Sequence, residues 1–396
     1  MNKGTAMIRR RSALLGLATL PWATLSLATT PAPGDRRLVL VVLRGGMDGL
    51  SAAPVPGDPA FAEARGLLGQ FSQFSQFGQF GTGPLPLDGP YALHPQLTRL
   101  HAMYGRGELL VLHATGLPYR ERSHFDAQQL LESGGLKPYD RDDGWLGRAL
   151  AVTGGGALGL STNVPLVLRG APAVDTWAPS ALPDPAPDLL SRLERLYAAD
   201  AALGPALARA RTLHAAPMAG GMASPGSAAV EALAAKAAEF MAQPNGPGTA
   251  VLEIGGWDTH ANQHAPRGVL AQNLGRLDAM LGALQAGLGE RWATTAVLVV
   301  TEFGRQVAIN GTNGTDHGSG GVAFLAGGAV RGGRVLGDWP GLAPKDRFEG
   351  RDLRITTDLR ALLHGLLHEH LQVPRATLDA SVLPGVGTPL RDLIRS

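Results

Sequence analysis

The residues of this chain that could do chemistry fall in short, glycine-flanked clusters. Gly255-Gly256-Trp257-Asp258-Thr259-His260-Ala261-Asn262-Gln263-His264 offers a carboxylate and two imidazoles within a few positions. Asp258 and His260 follow a tight glycine turn, and His264 stands one helical turn beyond His260. A carboxylate with one or two imidazoles suits zinc, manganese or iron. The competing reading is a short helix capped by Asp258, with its histidines exposed. A second cluster, Asn310–Gly321 (NGTNGTDHGSGG), presents Asp316 and His317 in a glycine-rich loop. Glu302 precedes it in Thr301-Glu302-Phe303-Gly304-Arg305. Two independent Asp/His clusters argue for a metal site more strongly than either does alone.

Two further positions are ambiguous. Ser123, in Arg122-Ser123-His124-Phe125-Asp126, stands where a helix should begin. Ser-x-x-Asp resembles a capping box, in which the hydroxyl is structural. A hydroxyl at the positive end of a helix dipole is also placed to become a nucleophile, with His124 beside it as a weaker catalytic candidate. Asp48, in Arg44-Gly45-Gly46-Met47-Asp48-Gly49, reads equally as a turn aspartate or as an exposed ligand. His364, His368 and His370 share one helical stretch, but Gly365 stands where a zincin needs Glu. They read as structural. Neither a G-x-S-x-G elbow nor a Walker-type phosphate loop is present.

Composition narrows the classes. The chain has 396 residues and no Cys, which excludes disulfide scaffolds, thiolate metal sites and a thiol nucleophile. Its formal charge of +2 is carried by Lys3, Arg9, Arg10 and Arg11 at the start. These precede an apolar run, Ala13–Leu25, and the small residues of Ser26-Leu27-Ala28, so residues 1–28 read as a twin-arginine-type export signal. The expected location is the periplasm or beyond, with the export machinery as a partner. Without that segment the chain is slightly acidic and shows no basic stripe, so nucleic-acid binding drops out. About 13 apolar residues broken by Pro21 are too few for a stable membrane span.

The elements that must position these residues alternate. Apolar runs at Arg37–Leu43, Leu109–His113, Pro165–Leu168, Thr249–Ile254, Ala296–Thr301 and Val322–Ala326 read as buried strands. Helical patterns at Ser123–Ser133, Pro187–Ala210, Ser227–Gln243, Arg267–Leu288 and Thr357–Leu371 lie between and after them. The fold class is α/β, a mostly parallel central sheet with helices on both faces. Ligands in such folds bind beyond the carboxyl ends of the strands, which is where the clusters stand. Residues 29–396 read as one large domain with loop insertions at about 69–83 and 172–226. The first contains Gly69–Gly81, a Phe-Ser-Gln repeat that reads as a surface loop.

The ordered motifs LVLVVLRGGMDGLS, RSHFDAQQLLESG, DGWLGR, GGWDTH, TEFGR, GTDHGSGG and GGRVLGDWPGL resemble an exported bacterial family. It is known as domain of unknown function 1501 and is placed with the sulfatase-like proteins of the alkaline phosphatase superfamily. The resemblance implies one or two divalent ions at the sheet's carboxyl edge, with zinc first and manganese or calcium as the other candidates. It implies metal roles for Asp48, Asp258, His260 or His264, Glu302 and His317, alone or with Asp316, and a nucleophile's role for Ser123. Glu302-Phe303 replaces an Asp-His pair common in the superfamily, and the C-x-P-S-R signature of sulfatases is absent. The expected activity is hydrolysis of a small anionic ester such as a phosphoester, with Arg44 and Arg122 clamping the anion. A metal- or ligand-binding protein without catalysis, and a secreted assembly factor with vestigial clusters, are the alternatives.

Overall fold

The computed structural model describes residues 35–70, 83–179, 187–201, 203–214, 227–263 and 268–395. The expected export signal, most of the Phe-Ser-Gln repeat and His264 lie outside the described residues. In chain order the strands are β1 (Arg37–Leu43), β2 (Leu85–Pro86), β3 (Ala92–Leu93), β4 (Leu109–Gly116), β5 (Ala157–Gly159), β6 (Val174–Thr176), β7 (Thr249–Ile254), β8 (Thr295–Thr301), β9 (Gly321–Ala326), β10 (Arg334–Leu336) and β11 (Thr357–Asp358). The helices are α1 (Gly49–Ala52), α2 (Phe61–Arg65), α3 (Thr98–Gly105), α4 (His124–Ser133), α5 (Trp145–Thr153), α6 (Pro187–Tyr197), α7 (Leu203–His214), α8 (Ser227–Ala242), α9 (Val269–Leu288) and α10 (Leu359–Glu369). Residues from Pro33 to Ser396 make one compact unit.

Nine strands form the central sheet, in the order β10-β4-β9-β8-β1-β7-β5-β6 with β11 also on β4. β1 lies at its centre, parallel to β7 and β8. Its residues alternate between two cores, because successive strand side chains point to opposite faces. Val39, Val41 and Leu43 pack with α3, α8 and α9, and Leu38, Leu40 and Val42 with α4, α5 and α10. The long α9 shows the matching period: Leu270, Leu274, Leu277, Leu281, Leu284 and Leu288 are buried along one stripe. Each such apolar side chain contributes about 1.5–3 kcal/mol when fully buried, so the sheet is a rigid base for the loops at its edge.

One strand breaks the parallel rule. β9 runs antiparallel to both its neighbours, β4 and β8. Reversal puts the start of β9, not its end, at the carboxyl edge of the parallel strands. The loop that joins β8 to β9 therefore meets the loops that follow β1 and β7.

Most of the strands expected from apolar runs are present with ends within a few residues. Pro165–Leu168 differs: Leu166–Leu168 is a 3-10 turn, and β5 takes the place beside β7. The Val167 amide donates to Glu132 Oε2 at 3.1 Å, which anchors the turn against α4. A short apolar run signals burial but not strand. The helical stretch Pro187–Ala210 is two helices, α6 and α7, the Asp200 carboxylate accepting from the Leu203 amide at the start of the second. With β6 they make part of the 172–226 insertion regular structure.

Candidate metal centre

Three loops at the carboxyl edge meet in one cluster. Asp258 and His260 follow β7, and Glu302 follows β8 directly. His317 comes from the segment before β9, and His124 is the first residue of α4. The 304–319 segment is held as a continuation of the β8–β9 pairing. Gly304 N donates to Ser319 O at 3.0 Å, Gln306 N to Asp316 O at 2.9 Å, and Gly318 N to Gly304 O at 2.9 Å. Gly318 is required there, since a Cβ would lie 2.3 Å from the Arg305 carbonyl carbon. Gly45 has φ +124°, and its missing Cβ would meet the Asp258 amide nitrogen at 2.4 Å. The β1 loop thus sits directly under Asp258.

At the centre, His124 Nε2 and His317 Nε2 are 3.0 Å apart, and His260 Nε2 and His317 Nε2 are 3.1 Å apart. Asp258 Oδ1 lies 3.1 Å from His317 Nε2 and 2.9 Å from His260 Nε2, and Asp258 Oδ2 lies 3.5 Å from His124 Nε2. Ligand atoms of His124, Asp258 and His317 all fall within 4.8 Å of one another. The other nitrogen of each ring faces an acceptor: His124 Nδ1 the Glu302 carboxylate at 2.8 Å, His317 Nδ1 the Arg122 carbonyl at 3.1 Å, and His260 Nδ1 the Asp316 carboxylate at 3.3 Å. With a proton on each Nδ1, each Nε2 would present a lone pair inward.

In that tautomer three lone pairs and a carboxylate face one another, an arrangement that a cation among them would stabilise. A tetrahedral zinc with bonds of about 2.0–2.1 Å sets its ligands roughly 3.3 Å apart, close to these separations. Acceptors behind ligating histidines fix the tautomer and raise ligand basicity. The residues present fit a divalent ion.

Electrostatics agree with this arrangement. Glu302 is buried, and burial alone would raise its carboxyl. Hydrogen bonds from His124, Gln128 and the Gly45 amide outweigh it and hold the group below the usual carboxylate range. The same Glu302 bond raises the His124 imidazole. Desolvation lowers the His317 imidazole. Asp258 is opposed by partial burial but is held low by Arg305 and the histidines around it. Asp316 is held low first by Asn310.

The other expected site residues are engaged with different partners. Asp48 is fully buried and caps α1, accepting from the Leu50 and Ser51 amides at 3.2 and 3.3 Å. Its Oδ2 takes Arg65 Nη2 at 2.5 Å, Ser51 Oγ at 2.8 Å and the Gln263 amide. Of its two readings, the turn aspartate is the one the local geometry takes. Ser123 is the N-cap residue of α4, yet its side chain makes no capping bond. Its hydroxyl lies against the Tyr119 phenol instead, whose own proton goes to Asp126 at 3.1 Å. The two arginines are committed to carboxylates: Arg44 to Glu132 and Glu253 at 2.7 and 2.9 Å, Arg122 to Glu349 and Asp352 at 2.6 and 2.9 Å. His364, His368 and His370 each bind their own partner: Asp379, the Val373 carbonyl and the Arg37 carbonyl.

Sequence reasoning gave no role to Arg65 or Arg305, both buried cations of the site. Arg305 stood in the quoted TEFGR motif. Arg65 carried no signal, being an isolated basic residue in a short helix.

The cluster is half exposed, with Asp258 side-chain exposure of 44% and that of His124 24%. Among the surface depressions, one lies beside Leu136, Arg141 and Pro384, another beside Thr153, His370 and Gln372, and a small one lined by Thr301 and Phe303 adjoins Glu302. No described helix is long and apolar enough to cross a membrane.

Comparison with known proteins adds the following. No curated protein matches the chain. The chain is similar to the solved phosphonate monoester hydrolase of Agrobacterium radiobacter, with 12% identity over 86% of this chain and 74% of that one and a TM-score of 0.39. The PsFucS1 sulfatase from Pseudoalteromonas sp. gives 13% identity over 86% and 69%, with a TM-score of 0.41. Murine ectonucleotide pyrophosphatase/phosphodiesterase 5, solved with AMP, gives 10% over 68% and 57%, with a TM-score of 0.33. One family model, that of the proteins of unknown function DUF1501, matches residues 110–383, a stretch that includes every member of the cluster, and the chain belongs to that family.

Proposed function

We propose that the protein is an exported, divalent-metal-dependent hydrolase of a phosphoester or related small anionic ester. The observation that carries the reading is the convergence of three imidazole Nε2 atoms on the Asp258 carboxylate, each ring backed by an acceptor. His124, Asp258 and His317, with His260 beside them, would hold the ion, zinc being the best match to a nitrogen-rich set. When bound, such an ion polarises an ester oxygen and lowers the pKa of a coordinated nucleophile. Glu302, facing His124 Nδ1, orients the ring so that Nε2 is aimed inward. Ser123, its hydroxyl unused in capping, remains the candidate nucleophile at the start of α4.

Metal analysis of the purified chain, followed by assays on phosphomonoesters and phosphodiesters, tests the reading. Hydrolysis lost in both His317→Ala and Ser123→Ala supports it. A zinc-loaded protein inert toward every ester class would sink the catalytic part, and full activity in Ser123→Ala would remove that serine as nucleophile.

Metal binding without catalysis is the second reading. One observation favours it: Arg44 and Arg122 are both spent on carboxylates, so neither guanidinium is free for an anion.

A further inference from the structure

We propose that the centre holds one divalent ion rather than two, the fixed charges of Arg65 and Arg305 standing in for a second. The inference rests on the metal-dependent reading above and concerns the stoichiometry of the same site. A second ion would need further carboxylates at the cluster, and two that the sequence offers, Asp48 and Glu302, are taken. Asp48 receives five hydrogen bonds, three of them on Oδ2, from Arg65, Ser51 and Gln263. The Arg65 side chain is itself fully buried and anchored by the Val307 carbonyl at 2.7 Å. Exchanging it for an ion would leave a guanidinium buried without its carboxylate. Glu302 Oε1 takes the Gly45 amide, the His124 ring and the Gln128 amide at 2.8, 2.8 and 3.0 Å, and Oε2 faces the Thr301 hydroxyl at 3.0 Å.

Arg305 completes the argument. Its side chain is fully buried, with Nη2 on Asp258 Oδ1 at 2.7 Å. Its Nε and Nη1 have no hydrogen-bond partner among the described residues. Its charge is felt by Asp258, Asp48 and Glu302 together, which is the company a second cation would keep. A guanidinium cannot shed its proton in a protein, so this charge is permanent and repels another ion beside Asp258.

The test is zinc stoichiometry. The full chain is stripped with a chelator, titrated with zinc, and measured by elemental analysis and native mass spectrometry. Zinc-edge anomalous scattering from crystals then locates the ion. The expected result is one zinc per chain, placed among His124, Asp258 and His317, and retained in Asp48→Asn but lost in Asp258→Asn. Two zincs, or one beside Asp48, would overturn the inference while leaving a metal enzyme standing. No zinc in the native chain overturns the underlying reading as well. Because Asp48→Asn breaks a buried pair and can fail to fold, the native stoichiometry is decisive without it. Arg305→Gln keeps a donor to Asp258 but removes the charge, and is expected to bind zinc about tenfold more tightly. Unchanged or weaker binding by the folded variant overturns the substitution of charge.

Discussion

At the scale of single residues, the cluster is defined as much by what stands behind each ring as by what stands between them. Glu302 touches His124 Nδ1, not the centre itself. Replacing it by Gln keeps the shape but weakens the acceptor, and zinc affinity is expected to fall about 10–100-fold, as read by competition with a chromophoric chelator. Unchanged affinity would show that Glu302 does not tune His124. Arg65 plays a different part. Arg65→Met is expected to cost about 3–5 kcal/mol in denaturant unfolding, because it strands the buried Asp48 charge. A loss below about 1 kcal/mol would mean Asp48 is neutralised by other means.

At the scale of elements, Ser123 separates two meanings of one motif. Ser-x-x-Asp at the start of α4 spells a cap, and an Ala at a working cap costs about 1 kcal/mol. Here the hydroxyl makes no such bond, so Ser123→Ala is expected to leave stability within about 0.5 kcal/mol. A loss of 1 kcal/mol or more in thermal or urea unfolding would return the serine to a structural role. The Asp/His clusters after β7 and before β9 were legible because both sit in glycine-rich turns beside strong strand patterns. His124 was legible only as a neighbour of Ser123, since nothing in a helix's first turn says which side chain faces inward. Asp48 shows the reverse case. The sequence places it at the right edge, but its lone pairs are claimed by Arg65 on a separate short helix, and such pairing over distance leaves no local pattern.

At the scale of the whole molecule, the sheet's order was only partly written in the runs that form it. Which strands exist follows from apolar length, but the neighbours of β9 and its reversed direction depend on long-range pairing. The histidines buried in this scaffold also set its response to acid. Burial pushes His113 and His370 down to about 4 from an ordinary 6.5. Both are neutral when folded and take up a proton more readily when unfolded. Stability is therefore full above pH 6.5 and is lost as pH falls toward 4, by on the order of 3 kcal/mol per histidine. Urea midpoints measured from pH 7 to pH 4.5 check this. A flat profile would show that neither ring is held neutral.

The reversal of β9 also bears on how the molecule comes to be folded. β8 and β9 are sequence neighbours joined by a loop that is itself paired, whereas His124 and Glu302 lie 178 residues apart. Near pairings carry less loop-closure entropy and form sooner than distant ones. The turn bearing Arg305 and His317 is thus expected to acquire its shape as a hairpin before α4 docks. In pulse-labelling hydrogen exchange, the amides of Gly304, Gln306 and Gly318 would gain protection earlier than that of Gly45, which is bonded to the distant Glu302 carboxylate. Half of the centre would then be a product of neighbourly folding, and its completion a late event of assembly.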